Sequence, residues 1–196
     1  QSKISSISII VSDKIYGLSL LKKVKVSKRL HLNLTDFTYK KSKEDNIYNL
    51  FFFKLFIMPL LPNFEENKKN IKKEILRQIK LYKKYVKKEL IFLDSHQHVH
   101  MIPWIFNIIF DLRKKNKIIN IRIPNEKFLI NYFDLLNINV IKNIIKYFTL
   151  KFFILISKKK INKIGYKYNF FGIIYSGIQN KKYLKKIFNF IKNDKS

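Results

Sequence analysis

No cysteine occurs among the 196 residues, no alanine either, and glycine and proline number only four each. Without thiols the chain has neither disulfides nor thiolate metal sites, so any metal would be held by nitrogen and oxygen. The same lack permits a reducing compartment, and a cytoplasmic location is expected. Long apolar runs are missing too. The two longest, 50–61 and 147–157, are each broken by a lysine, and they fall short of the roughly 20 residues that cross a bilayer. Neither a transmembrane segment nor a secretory signal is expected.

Acidic residues are scarce as well, 13 against 41 basic ones, for a formal net charge of +28. Such an excess ordinarily points to nucleic acid or an anionic membrane surface. Here only four of the basic residues are arginine, and Lys, Asn, Ile, Phe and Tyr fill the chain. Those residues have A/T-rich codons, so the bias reads as genomic. The lysines are scattered, with no arginine-rich arm and no nucleic-acid fold motif, and no specific nucleic-acid partner is expected. The competing class is a charge-driven nucleic-acid or membrane-surface module. Its binding would fall with salt and ignore the histidines.

The histidines are what is present in concentrated form. Three of the four, His96, His98 and His100, fall within five residues, directly after the apolar run 90–93 and Asp94. The run 90–94 reads as a buried strand and its end. The fourth, His31, lies among the polar positions of an alternating stretch, 29–35, that also reads as a strand. Neutral imidazoles bind divalent metals, and a His-x-His pair on extended backbone would point both rings to one side. The spacing leaves metal ligation and an ordinary polar role, as ring-orienting donors, caps or surface, equally open.

Residues 4–11, with serines between β-branched residues, read as a strand, and 16–23 as a short helix. Residues 36–63 are irregular, a packed loop or a lid. From 64 to 88, Ile71, Ile75, Ile79 and Tyr82 recur at helical spacing, joined by Leu76 and Tyr85, with Lys and Glu on the other face. Asn63 stands at the N-cap position, with Glu65 and Glu66 in the first turn. Pro103 suits the first turn of a helix over 104–115, and 118–123 reads as a fourth strand. Beyond Glu126 the pattern is mostly helical: 128–136, 140–157 and, after a glycine-containing segment at 165–177, 181–191. Strands alternating with helices predict a parallel sheet, with functional residues at the carboxyl ends of its strands, where His31 and His96 both fall.

The segments His31-Leu32-Asn33-Leu34-Thr35 and Leu93 to Pro103, with Asp94-Ser95-His96-Gln97-His98-Val99-His100 at its centre, resemble the two histidine motifs of the YdjC-like carbohydrate deacetylases. The stretch from Ile121 to Glu126, with Arg122 and Pro124, is similar to that family's Arg-x-Pro segment. Phe170 to Gly177 is similar to a later glycine-containing stretch, and Ser5 to Ser12 to an early strand. The resemblance implies an incomplete (β/α) barrel-like α/β fold with a mostly helical C-terminal part, residues 1–196 forming a single domain. It implies a divalent metal ion, Zn or Mg, and removal of acetyl groups from N-acetylated amino sugars, in free carbohydrate or glycolipid. By motif His31 and His96 match the histidine ligands. Asp94 would stand behind them, fixing a histidine ring, and for His98 and His100 a similar supporting role and simple packing are equally open. Arg122 would contact the sugar or the oxyanion, with an ion pair to Glu126 the preferred alternative. The family's Asp-Asp pair would lie upstream of Gln1, since Asp13 follows the wrong strand, and its late His-Pro-Gly segment would lie beyond Ser196. The chain thus reads as truncated at both ends and inactive alone, or else as a degenerate relative. Oligomeric state is not legible.

Overall fold

The computed structural model describes residues 5–12, 23–35, 52–130, 132–164, 170–178 and 181–193. The helix expected at 16–23 and most of the irregular segment 36–63 lie outside the described residues, as does Asp13. Four strands, β1 (Ser6–Ile9), β2 (Ser27–Leu32), β3 (Ile91–Ser95) and β4 (Ile118–Ile121), form one sheet in the order β1-β2-β3-β4. Every pairing is parallel. With the helices α1 (Phe52–Ile57), α2 (Phe64–Val86) and α3 (Pro103–Leu112) between the strands, this is the expected α/β, (β/α) barrel-like core. The C-terminal part is largely helical, with α4 (Ile138–Ile156), α5 (Lys158–Asn162) and α6 (Lys181–Asn193).

The alternation of β1 and β2 gives the sheet two unlike faces. Ile9, Leu30, Leu32, Ile91 and Leu93 are buried on one. Ser6, Ser8, Arg29, His31, Asp94 and Asn120 share the other, where the Arg29 guanidinium reaches Ser6 Oγ and Asn120 Oδ1 and lies over the Phe92 ring. Sheets buried by helices on both faces usually read as continuous apolar runs. The serines of β1 and the histidine of β2 mark a polar face instead.

α2 packs on the apolar side through Ile71, Ile75, Ile79 and Tyr82, as its spacing predicts. It also grips β2 by polar contacts that the helical pattern hides. Gln78 is fully buried; its amide accepts the Asn33 N–H at 3.0 Å and donates to the Asn33 carbonyl at 2.7 Å, and the Tyr82 hydroxyl donates to the Lys28 carbonyl. Glu74 is buried too, bonded by Arg77 and Gln78. Asn63 occupies the N-cap position without a side-chain capping bond; its carbonyl accepts from Asn67. α3 starts at Pro103 and is tied to α1 by Trp104, whose indole N–H donates to the Leu55 carbonyl.

Three expectations need correction. Residues 52–60, read as part of an irregular segment, are helical, with α1 followed by a 3-10 turn from Met58 to Leu60. Residues 128–130 are not helical; a 3-10 turn runs only from Tyr132 to Leu136. The Leu129 carbonyl, which a helix would use internally, accepts from the Tyr175 hydroxyl, and that hydroxyl also bonds Asp134. The run from His96 to Met101 is a 3-10 segment interrupted at Gln97 and His98, not an extended His-x-His strand end. The contacts cluster into two compact units, Gln1–Arg122 with Asn162–Tyr166, and Ile123–Ile161 with Lys167–Ser196.

Candidate metal centre

Strand register assembles the site. β2 and β3 set His31 directly opposite Asp94, and the His31 ring Nδ1 is 2.7 Å from Asp94 Oδ1. An ionised carboxylate only accepts, so Nδ1 is the donor of this hydrogen bond, and Nε2 is the ring nitrogen that a neutral His31 would offer to a metal. The ladder continues past β4: Leu93 pairs with Ile121, and the Arg122 N–H donates to the Leu93 carbonyl at 2.8 Å. Arg122 is thereby brought beside Asp94, its Nη1 2.8 Å from Oδ2. The Ser8 hydroxyl donates to the same oxygen at 2.7 Å. Burial pushes the Asp94 carboxyl up, but the hydrogen bonds from His31 and Ser8 and the Arg122 charge outweigh it, and its pKa lies below the ordinary carboxylate range.

This geometry overturns the ion pair expected between Arg122 and Glu126. Spacing of i to i+4 brings side chains together only on a helix, and Arg122 continues an extended strand, where its neighbour is the residue across the ladder. The Glu126 carboxylate accepts instead from the main-chain N–H groups of Gly172, Ile173 and Ile174 and from the Tyr183 hydroxyl. Gly172 has φ 127, a conformation reserved for glycine, which helps three successive N–H groups converge on one carboxylate.

His96 follows β3 immediately, and its ring centroid is 6.0 Å from that of His31. The chain then turns sharply, because Gln97 and His98 both adopt the left-handed conformation, at φ 50 and 60. For side chains other than glycine each costs about 1 kcal/mol or more. The turn separates the histidines: His98 lies 6.4 Å from His100, while His96 faces His31. His100 is buried and both its ring nitrogens have protein partners, Nε2 the Arg122 carbonyl at 2.7 Å and Nδ1 the Ser95 hydroxyl at 2.5 Å. It straps the end of β3 to the chain leaving β4. Burial lowers its pKa from 6.5 to about 4, so it is neutral.

The donor chemistry fits two of the ligands of a borderline cation. Two imidazoles bound to one tetrahedral ion hold their rings roughly 5 Å apart, given metal–nitrogen bonds near 2 Å, and the present separation is within reach of a small side-chain adjustment. His31, oriented through Nδ1, and His96 are the residues that would hold the ion. Asp94 is engaged by three side chains and would stand behind His31 as the partner of a ligand. Among the described residues no group of three or more His, Cys, Asp or Glu stands ready to hold a metal, so any further protein donors would have to come from outside them. Sequence reasoning missed Ser8, Ser95 and Gln78; only Ser8 left a signal, as a polar position alternating with isoleucine.

A family model described as YdjC-like protein matches residues 10–195. A carbohydrate deacetylase from Xenopus laevis is 28% identical over 131 residues, covering 63% of this chain and 42% of the frog protein. The chain therefore spans less than half the length of that relative. No solved structure matches it.

Proposed function

Because the chain belongs to the YdjC-like family, a family of deacetylase-like enzymes, we propose that it carries the two-histidine half of a metal-dependent hydrolase that removes acetyl groups from N-acetylated amino sugars. The observation that carries the reading is the Nδ1 contact of His31 with Asp94, with His96 facing the same ring at the carboxyl ends of β2 and β3. Held by His31 and His96, a Zn or Mg ion would supply polarisation of the amide carbonyl and a more acidic water.

The chain's own residues do the preparation. Asp94 fixes the tautomer and ring orientation of His31 and makes it a better donor. Arg122 and Ser8 keep Asp94 ionised and prevent it from turning toward the ion itself. Arg122, about a third exposed, also offers its remaining N–H groups to the sugar or to the developing oxyanion. The carboxylate ligand and the base would come from the Asp-Asp pair, outside the described residues but within one deacetylase domain. The absence of cysteine suits the cytoplasm as its location.

Acetate release from N-acetylated amino sugars by the intact protein tests this. Activity that depends on added Zn or Mg and is lost at unchanged fold in His31→Ala and in His96→Ala supports the reading. Activity that survives both substitutions overturns it.

A further inference from the structure

One face of α4 is uncovered. Ile138, Ile141, Ile145, Phe148, Phe152 and Leu155 recur at alternating steps of three and four residues, and all are exposed, Ile145 and Leu155 by about two thirds (65% and 66%). Val140, Tyr147, Leu150 and Phe153 fill the buried side. The Phe128 ring, 5.9 Å from that of Phe148, widens the strip and is itself half exposed. From Ile138 to Leu155 the strip runs about 26 Å along the helix as one continuous apolar stripe rather than as singly scattered apolar residues.

Charge indicates what covers it. Between residues 135 and 193 the chain carries 13 lysines and no aspartate or glutamate, whereas 12 of its 13 acidic residues lie at or before Asp134. A codon bias acting evenly would thin acidic residues everywhere rather than empty one stretch. Lys142 beside the strip and Lys158 and Lys159 at its end are exposed. In α6, Leu184 and Phe188 are exposed one turn apart, beside exposed Lys181 and Lys185. A second copy laid strip to strip would bring two lysine-only flanks together. An anionic bilayer satisfies both features, with acyl chains taking the Ile and Phe side chains and headgroups the lysines. Among the described residues no helix is long and apolar enough to cross a membrane, so the helix would lie in the interface plane.

We propose that α4 docks the protein on membranes containing anionic phospholipid, with its Ile and Phe strip turned inward. Docking through this face is independent of the metal site. Co-sedimentation of the chain with phosphatidylcholine vesicles, with and without phosphatidylglycerol, tests it. Binding is expected only with phosphatidylglycerol and should weaken as salt rises. The triple variant Ile145→Ser, Phe148→Ser, Phe152→Ser should bind at least about tenfold more weakly, with helix content checked by circular dichroism since all three positions are exposed. Lys158→Gln with Lys159→Gln should weaken binding too, while Lys72→Gln with Lys73→Gln on α2 should not. No binding, binding that survives the triple substitution, or a dimer that the same substitutions dissolve without any vesicle binding would each overturn the proposal.

Discussion

Two of the buried carboxylates, Asp94 in one compact unit and Glu126 in the other, are stabilised in opposite ways. Asp94 is met by side chains from three other positions of the sheet and its margins, His31, Ser8 and Arg122. Glu126 is met mainly by main-chain N–H groups of a single segment, Gly172 to Ile174, plus one phenol. Side chains can turn and exchange partners; main-chain N–H groups in a closed turn cannot. The first arrangement suits a site that orients a ligand-binding ring, and the second suits an anchor that holds a loop.

Glu126→Ala should give the largest loss of stability. It strands three N–H groups and a hydroxyl, and denaturant unfolding should report a loss of about 3–5 kcal/mol, with metal affinity unchanged in the molecules that remain folded. A smaller loss would mean that the loop relaxes to water and that Glu126 is no anchor.

Acid should separate the two regions next. All four histidines belong to the first unit, and His100 is held neutral with a pKa near 4 against an ordinary 6.5. Between those values the unfolded chain takes up a proton that the folded one refuses. The stability contribution is therefore complete above pH 6.5 and drains away as pH falls toward 4, by on the order of 3 kcal/mol. Unfolding measured across that window should lose most of this slope in His100→Asn. An unchanged slope would show that His100 is already protonated in its strap.

Arg122→Ala should act more mildly. Its guanidinium is partly exposed, so solvent replaces some of what Asp94 loses, and a cost of about 1–2 kcal/mol is expected. Smallest of all, Lys72, Lys73, Lys83 and Lys84 changed together to Gln on α2 should shift stability by less than about 0.5 kcal/mol, measured in the same denaturant series.

Much of the first unit was legible in the sequence, because alternation and helical spacing report burial directly. β2, β3, β4, the apolar face of α2 and the start of α3 at Pro103 all lie where the pattern puts them, within a few residues. Polar burial was not legible. Gln78 reads as part of a solvated face because its partner, Asn33, is 45 residues away, and Ser8 reaches an aspartate 86 residues on. Arg122 was assigned a partner by sequence distance when strand register decides it. The histidine cluster was visible, but its division was not: the left-handed pair at Gln97 and His98 sends His96 toward His31 and His100 into the core. The lysine excess was read as evenly genomic; the uneven distribution of acidic residues and the exposed strip of α4 give it a second meaning in the helical unit.

If His31 and His96 share one ion, both imidazoles contribute to its affinity. Calorimetric titration of the chain with Zn, repeated on His31→Ala, His96→Ala, Asp94→Asn and His100→Asn, measures this. Weak binding is predicted, because two neutral donors do not offset the charge of the ion. It should be abolished by either of the first two substitutions, weakened roughly 10- to 100-fold by Asp94→Asn, which disturbs the ring behind the ligand, and little changed by His100→Asn. Equal affinity in all five proteins would mean that His31 and His96 are not ligands, and the proposed site would fall with them.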